Sequence, residues 1–202
     1  TRRRSGKPSR MASSKPASAR HSALLSPNLN EMRDVDLVQL SPWALAALAD
    51  GDLPSANLMV PFQFGAYFVG PECLSTWQRR ATQVANAPTS AAWITRAVVE
   101  VDLAVAVGRA GFHGPPDAVG MVEVGYAIDP VFRRQGYARA ALVALLKWAK
   151  DEVSVQTVRA TIRPDNLPSR TLVGQYGFVE VGEQWDDEDG LEIIFEVASG
   201  AA

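Results

Sequence analysis

An apolar strand, a basic loop with one glycine and an amphipathic helix follow one another between Met121 and Lys150. The strand is predicted over Gly120–Asp129, and the loop ends in the segment Arg133–Ala138. Apolar residues recur on one face of the helix that follows, at Ala138, Ala141, Leu142, Leu145 and Ala149. This spacing lets the helix pack back onto the sheet that contains the strand. The order therefore favours an α/β fold in which a loop is held rigidly between a strand and a helix.

The start of this helix has the chemistry of an anion site. A helix start leaves about four N–H groups without an intrahelical partner and carries about half a positive charge. Gly136 lets a ligand approach the backbone closely, and Arg133 and Arg134 can add charge-assisted hydrogen bonds. The loop is therefore predicted to bind a phosphate or pyrophosphate group.

Two segments of the sequence resemble a known family. GYAIDPVFRRQGYARAAL, residues 125–142, resembles motif A of the GNAT acetyltransferases, with Arg133, Gly136 and Ala138 at the motif positions. PDNLPSRTLVGQYGF, residues 164–178, is similar to the Asn-x-x-Ser…Gly-Phe segment of the ribosomal-protein alanine N-acetyltransferase (RimJ/RimL-like) branch. The resemblance covers roughly residues 32 to 197, with both segments in the family's order.

The resemblance implies a fold and a co-substrate. The expected fold is α/β (α+β): a GNAT-like mixed, mostly antiparallel central sheet with helices on both faces. A splayed parallel strand pair, here Gly120–Asp129 and Val155–Arg163, would hold acetyl-CoA. The expected activity is acetyl-CoA-dependent transfer of an acetyl group to a primary amine, a protein N-terminus or a small molecule, by direct attack in a ternary complex. The implied cofactor-binding residues are Ile128, Arg133, Arg134, Gln135, Gly136, Tyr137, Ala138 and Asn166.

Acetyl transfer to an amine also needs a base, an oxyanion donor and stabilisation of the leaving thiolate. Glu123, an acid within an apolar strand, is the predicted base, acting through a water; alternatively it faces solvent or pairs with an arginine. An N–H near Ile128 is the predicted oxyanion donor. Many family members have a tyrosine where this chain has Val173, and the branch resemblance points instead to Ser169 as the group at the sulfur. Asn166 and Ser169 alternatively only cap a helix.

The missing tyrosine keeps a second function open, a noncatalytic acyl-CoA-binding regulatory module. Aromatic residues in the acceptor region are interpreted as a pocket or as core packing: Phe62, Phe64, Tyr67 and Phe68. The acidic segment Asp186–Asp189 would attract a cationic amine. His113 is predicted to lie in a turn, with a structural or solvent-exposed role preferred to a catalytic one.

The remaining elements follow from periodicity and turn residues. A first strand is predicted around Val35–Leu40. Helices are predicted over Trp43–Ala49, with Ser41 as N-cap, over Leu74–Val84 and over Pro168–Tyr176, with Gly177 as a left-handed cap. The other predicted strands are Ala92–Val99, Leu103–Phe112, Phe178–Val181 and Leu191–Val197.

Residues 1–30 differ from the predicted domain, residues 31–198. They contain seven Lys or Arg and no acid, which leaves the rest of the chain with 13 basic and 22 acidic residues, a net charge of about −9. A disordered tail is the preferred interpretation; an organellar transit peptide or a nucleic-acid anchor are the alternatives. The acidic domain argues against nucleic acid, and the expected location is cytoplasmic unless the tail is a transit peptide.

The composition limits other chemistry. No apolar run approaches the roughly 18 residues of a membrane helix, so no membrane partner is expected. One cysteine, Cys73, and two histidines, His21 and His113, argue against a disulfide framework and a zinc site, so no metal is expected. The expected partners are acetyl-CoA and an amine acceptor, with the chain as a monomer or homodimer.

Overall fold

The computed structural model describes Thr1 and residues 33–187 and 190–200. Apart from Thr1, the predicted basic tail of residues 1–30 lies outside the described residues. Glu188 and Asp189 of the acidic segment also lie outside them.

The described residues form one mixed sheet of seven strands in the order β1-β2-β3-β4-β5-β7-β6. Neighbouring strands are antiparallel except β4 and β5, which are parallel. The strands are β1 (Val35–Val38), β2 (Arg96–Glu100), β3 (Val105–Phe112), β4 (Met121–Ile128), β5 (Thr157–Ile162), β6 (Val179–Asp186) and β7 (Gly190–Ala198). This arrangement confirms the predicted fold class.

Five α-helices of the described chain pack around this sheet. They are α1 (Pro42–Ala49), α2 (Leu53–Leu58), α3 (Pro71–Asn86), α4 (Tyr137–Asp151) and α5 (Leu167–Gly174). Short 3-10 turns lie at Ala66–Val69, Pro88–Ala92 and Pro130–Phe132. Ser41 caps α1 as predicted, because its side-chain oxygen accepts a hydrogen bond from the Ala44 N–H at 3.1 Å.

Two hydrophobic cores lie on opposite faces of the sheet. On one face, Leu142, Leu145 and Ala149 of α4 pack with Val122 of β4 and Val158 of β5. The other core joins α1, α2 and α3 to alternate residues of β2 and β3. Side chains of successive strand residues point to opposite faces, so one strand contributes to both cores. The helices on both faces thereby fix the positions of the strands that form the cleft.

The aromatic residues of the acceptor region belong to the second core. Phe62, Phe64 and Phe68 are buried, and the Phe64 ring lies 4.9 Å from that of Phe68. Phe68 in turn stacks on Trp77, whose indole N–H donates to the Phe68 carbonyl at 2.8 Å. Core packing, one of the two predicted interpretations, therefore describes these three rings.

Several predicted boundaries were wrong by a few residues. The segment before β2 forms the 3-10 turn Pro88–Ala92, so the strand begins only at Arg96. Helix α3 begins at Pro71, since proline is tolerated in a first helical turn, whereas the prediction began at Leu74. Helix α5 ends at Gly174, although Gly177 has the predicted left-handed conformation with φ +78°.

Candidate active site

A cleft opens in the middle of the sheet where β4 and β5 part. The two strands pair only over three positions, from Met121 opposite Thr157 to Glu123 opposite Arg159. Beyond Glu123 they separate and leave a cavity of about 390 Å³. The predicted splayed parallel pair is therefore present.

The backbone groups that face this cleft follow from the alternation of hydrogen bonds in an antiparallel pair. The Glu123 carbonyl accepts from the His113 N–H at 2.8 Å, and the Asp129 N–H donates to the Val107 carbonyl at 3.0 Å. Odd-numbered residues of this segment therefore point their backbone groups toward β3. Even-numbered residues point theirs toward β5. The pairing of Glu123 with Arg159 uses the Val124 N–H, so the N–H groups of Tyr126 and Ile128 face the cleft.

The predicted phosphate loop leads directly into α4. Gly136 has φ +92°, a left-handed conformation that favours glycine, and no side chain caps the helix. The first intrahelical bond is that of the Ala140 N–H to the Gly136 carbonyl, at 3.0 Å. The N–H groups of Tyr137 and Ala138 therefore lie at the open helix start, where the sequence predicts an anion.

Side chains of the loop brace its backbone. Arg133 Nε donates to the Ile128 carbonyl at 2.9 Å, and Gln135 Nε2 donates to the Val131 carbonyl at 3.1 Å. Arg134 is exposed and has φ +61°. Arg33, which the sequence analysis missed, donates from Nε to the Gln135 carbonyl at 3.0 Å, and its guanidinium carbon lies 5.2 Å from the centre of the Tyr137 ring.

Glu123 lies at the point where the strands part, within a polar cluster. Its Oε1 accepts a hydrogen bond from the Thr161 hydroxyl at 2.5 Å and lies 3.4 Å from His113 Nδ1. The Glu123 side chain is only 21% exposed. The alternative in which Glu123 simply faces solvent is therefore wrong, because two neighbours hold its carboxylate in place.

His113 is the residue that sequence reasoning undervalued. A Cβ added to Gly125 would lie 2.9 Å from His113 Nε2, so this nitrogen faces β4 at the mouth of the cleft. Desolvation lowers the pKa of the imidazole although 48% of its side chain is exposed. The nearby positive charges of Arg80, Arg79 and Arg109 lower that pKa further, and Glu123 opposes the shift. A lowered pKa favours the neutral imidazole, which can accept a proton.

The register of the β3–β4 hairpin explains how this pair forms. Strands β3 and β4 pair with Gly111 opposite Gly125 and Phe112 opposite Val124. Continuing that register by one residue places His113 opposite Glu123. The turn that joins the strands thus brings two residues ten positions apart into one site.

Asn166 and Ser169 line the far side of the cleft, at the start of α5. Asn166 Oδ1 accepts from the Ser169 N–H at 3.2 Å, so Asn166 is the N-cap of the helix. The cap uses the backbone of Ser169 and not its hydroxyl. Val173, where many relatives have a tyrosine, is fully buried in the core.

Tyr126 supplies a phenol at this site that the sequence analysis did not identify. It lines the same cleft as Ser169, and its hydroxyl oxygen is buried without a hydrogen-bond partner among the described residues. Burial raises the pKa of the phenol, and the nearby Ser169 side chain opposes this shift in part without reaching hydrogen-bond geometry. A buried hydroxyl without a partner is costly, which is typical of a group that a ligand completes.

A second cavity of about 290 Å³ adjoins the cleft on the α3 side of the sheet. His113 and Gly125 line both cavities. The two spaces therefore meet at His113 and Gly125. Such a junction suits a reaction between two molecules that enter from opposite faces.

The sequence of this chain matches the family described as "Acetyltransferase (GNAT) domain" over residues 52–179, and the chain belongs to that family. It is 37% identical over 87 residues to the uncharacterized N-acetyltransferase YjdG of Bacillus subtilis (strain 168), a match that covers 43% of this chain and 50% of YjdG. The chain spans about half the length of the curated relatives it matches.

Solved structures share the fold at low sequence identity. The ribosomal-protein-S5-alanine acetyltransferase of Vibrio fischeri has a TM-score of 0.58 at 18% identity and covers 84% of this chain and 94% of its own. Mycobacterium smegmatis RimJ in complex with CoA-disulfide has a TM-score of 0.56 at 21% identity, with 81% of each chain covered. A Vibrio cholerae spermidine N-acetyltransferase chimera reaches 0.59 at 12% identity, with 82% and 95% covered.

No helix in the described part of the chain is both long and apolar enough to cross a membrane. The same residues contain no group of three or more His, Cys, Asp or Glu arranged to hold a metal ion. The polar chemistry of the described site lies instead in Glu123, His113, Thr161, Ser169 and Tyr126.

Proposed function

We propose that the protein is an acetyl-CoA-dependent N-acetyltransferase that acetylates a primary amine, a protein N-terminus or a small molecule, by direct attack in a ternary complex. The observation that carries this proposal is the continuity of the site. Strand β4, which lines the cleft, leads along the chain through the turn Pro130–Phe132 to the uncapped start of α4, and a separate cavity meets the cleft at His113. Membership of the GNAT family supports the same activity.

The loop before α4 would hold the phosphate end of acetyl-CoA. The N–H groups of Gly136, Tyr137 and Ala138 would donate to pyrophosphate oxygens, and exposed Arg134 would add charge. Arg133 and Gln135 would act mainly by keeping the loop in shape, since both already donate to its backbone. A relative of similar fold, RimJ, has been solved with CoA-disulfide, which supports this choice of co-substrate.

The cleft would hold the pantetheine arm. The N–H groups of Tyr126 and Ile128 are directed toward β5 but lie beyond its paired residues, so they offer hydrogen bonds to an extended amide chain. Asn166 would add its free amide group from the opposite wall. An N–H of this strand near Ile128 is the proposed oxyanion donor, because it points into the cleft rather than to β3.

Acetyl-CoA would supply an activated acetyl group as a thioester. In this proposal the substrate ammonium first loses one proton to solvent, and the neutral amine attacks the thioester carbonyl carbon. His113 Nε2 takes the second proton that the nitrogen loses and later releases it to solvent, and the Glu123 carboxylate orients the ring and stabilises its charged form. Glu123, predicted as the base itself, thus acts through His113. As the carbon–sulfur bond breaks, the Ser169 and Tyr126 hydroxyls would donate hydrogen bonds to the thiolate, which then takes a proton from solvent.

The polar cluster favours catalysis over the alternative of a module that only binds acyl-CoA. A binding module has no need for a neutral histidine held beside a carboxylate at the junction of two cavities. We assign the chain to the RimJ/RimL-like branch, on the Asn166 and Ser169 segment and on the likeness to ribosomal-protein acetyltransferases. A cytoplasmic monomer or homodimer completes the proposal.

The decisive experiment is calorimetric titration with acetyl-CoA of the wild-type protein and of the Arg134→Ala/Gly136→Asp double variant. The variant removes a cation and adds an anion at the helix start, so micromolar binding by the wild type should be lost. Lys147→Ala/Gly182→Asp is the matched control, since it makes the same charge change at two exposed sites away from the loop. No binding by the folded wild type at millimolar acetyl-CoA would overturn the proposal.

A further inference from the structure

We infer that the second cavity binds an anionic group of the acceptor, so that the amine substrate carries a carboxylate or phosphate close to its amino group. This inference rests on the proposed function, because it identifies the substrate class of the same site. The cavity lies between α3 and the sheet and meets the cleft at His113 and Gly125. A molecule anchored there can present its amine to His113 Nε2.

The charge of the cavity is the first argument. Its lining contains three arginines, Arg79, Arg80 and Arg109, but a single carboxylate, Glu72. The domain as a whole is acidic, so this local excess of positive charge is opposite to the sign of its surroundings. It is also opposite to what a cationic acceptor would need.

The burial of Arg80 is the second argument. This residue is only 5% exposed and lies in the inward stripe of α3 with Cys73, Trp77 and Val84. Its guanidinium donates to neutral oxygens: Thr95 Oγ1 at 3.1 Å, Gln83 Oε1 at 2.9 Å and the His113 carbonyl at 3.0 Å. In the described residues no carboxylate pairs with it. A buried cation without a counterion is costly, and an anionic ligand would lower that cost.

Arg109 supports the inference separately, because none of the hydrogen bonds that hold Arg80 involves Arg109. One of its terminal nitrogens donates to the Glu72 carbonyl at 2.9 Å, which aims the guanidinium along the cavity wall. Its Nε is buried and has no hydrogen-bond partner among the described residues. The planar guanidinium of arginine suits bidentate recognition of a carboxylate or phosphate.

The repulsion within this group is visible in the pKa of Arg80. Desolvation lowers that pKa to about 10, the charges of Arg79 and Arg109 contribute in the same direction, and the Glu123 carboxylate opposes the shift without pairing with Arg80. At neutral pH the side chain still carries its charge. Hydroxyls of Ser75 and Thr76 line the wall beside the arginines and can complete the set of donors to an anion.

A purely structural role would explain Arg80 alone. Its bonds tie α3 to β2 and to the turn at His113, and a single clamp of this kind is a common use of a buried arginine. The clamp does not require Arg109, whose contact is with α3 itself and whose Nε remains without a partner. The position of Arg109 beside Arg80 is therefore better explained by a ligand than by the fold.

The test compares amines with and without an anionic group, on wild-type protein saturated with CoA so that no turnover occurs. The pairs are O-phosphoethanolamine with ethanolamine and β-alanine with β-alaninamide, titrated calorimetrically. In at least one pair, the member that carries the phosphate or carboxylate should bind tenfold or more tightly than the partner that lacks it. A difference in the first pair would identify a phosphate site, and a difference in the second pair would identify a carboxylate site.

Arg109→Gln should abolish that difference, and Lys147→Gln, an exposed site on α4, should keep it. Both variants lose one positive charge, so only the position differs. If Arg109→Gln does not fold by circular dichroism, Arg79→Gln, at an exposed position of α3, takes its place in the same comparison. Equal binding of both members, tighter binding of spermidine, or a preference that survives in the arginine variant would each overturn the inference.

Two outcomes separate this inference from the proposed function. Anion binding that disappears when CoA is added would assign the cavity to the cofactor and overturn the inference while supporting cofactor binding. Failure of acetyl-CoA to bind would overturn the proposed function. The same titrations on the free protein would still show whether the second cavity binds an anionic group.

Discussion

His113 Nδ1 and Glu123 Oε1 lie 3.4 Å apart across the hairpin of β3 and β4, and the Thr161 hydroxyl donates to the same carboxylate oxygen. The imidazole is thereby fixed with its other nitrogen toward Gly125. In this arrangement the Glu123 carboxylate positions the imidazole that we propose as the base. The proposed reaction should therefore have a pH dependence that can be measured.

We expect the rate to fall on the acid side as His113 becomes protonated. Its pKa lies below the ordinary value of 6.5 because of desolvation first and of three nearby arginines second, so the acid limb of kcat/KM should lie below that pH. Glu123 raises the pKa, so Glu123→Gln should move the limb to lower pH. Arg109→Gln should move it to higher pH, since a positive neighbour is removed.

His113→Ala should lower kcat about 10²-fold at neutral pH, the usual contribution of a general base, without weakening acetyl-CoA binding. Glu183→Gln, on the exposed strand β6, removes a carboxylate outside the site and is the control for Glu123→Gln. Pre-steady-state and steady-state rates over pH 5–9 test the assignment, which fails if His113→Ala retains full turnover at saturating amine.

Gly125→Ala tests the orientation of the ring. The added Cβ would lie 2.9 Å from His113 Nε2, and the imidazole can move aside at little cost to stability. Displacement of a catalytic group by a fraction of an ångström lowers the rate, so we expect kcat to fall about tenfold or more. Gly182→Ala, where an added Cβ meets nothing within 4 Å, should change neither rate nor stability. An unchanged kcat in Gly125→Ala would show that the observed ring position is not needed.

Asn166 and Ser169 are separable by their hydrogen bonds. Asn166→Ala removes the N-cap of α5 and should lower the free energy of unfolding by about 0.5–2 kcal/mol. Ser169→Ala leaves that cap intact because the bond uses the Ser169 backbone. Urea unfolding should therefore show wild-type stability for Ser169→Ala, while its kcat falls. A rate equal to the wild type would remove the Ser169 hydroxyl from the mechanism.

Tyr126→Phe should affect rate and stability in opposite ways. Its hydroxyl is buried without a partner, so its removal should leave the free energy of unfolding unchanged or raise it by about 1 kcal/mol. If the phenol stabilises the leaving thiolate, kcat should fall several-fold. Equilibrium unfolding and turnover measured on the same preparation decide the point. A stability loss with full activity would instead assign the hydroxyl a structural role.

Much of the fold was predictable because its signals are local. The strand, loop and helix from Met121 to Lys150 carry their own periodicity, and Ser41 marks the start of α1 by its capping chemistry. The His113–Glu123 pair depends instead on the register of a hairpin, which the turn composition alone does not specify. Tyr126 was overlooked because a tyrosine in an apolar strand is normally packing, and only its unpartnered hydroxyl sets it apart.

The second cavity could not be predicted from the sequence, for a different reason. Arg80 occupies a position in α3 where the helical period predicts an apolar side chain, between Trp77 and Val84. Such an exception is visible in the sequence, but whether it faces a cavity depends on how α3 sits against β2 and β3. Arg109 joins it from a strand about thirty residues further along the chain, a distance over which no local pattern operates.

The short pairing of β4 with β5 also has a mechanical consequence. Strands β1–β4 and β5–β7 form the two halves of one sheet, and in the described chain their backbones pair at three positions, from Met121–Thr157 to Glu123–Arg159. A co-substrate lying in the cleft would hydrogen-bond through its amides to the protein where β4 and β5 no longer pair, and would so connect the two halves of the sheet. Binding of the co-substrate would then make this part of the sheet more rigid. Backbone amide hydrogen exchange should therefore slow most in the residues of β4 and β5 on either side of the cleft.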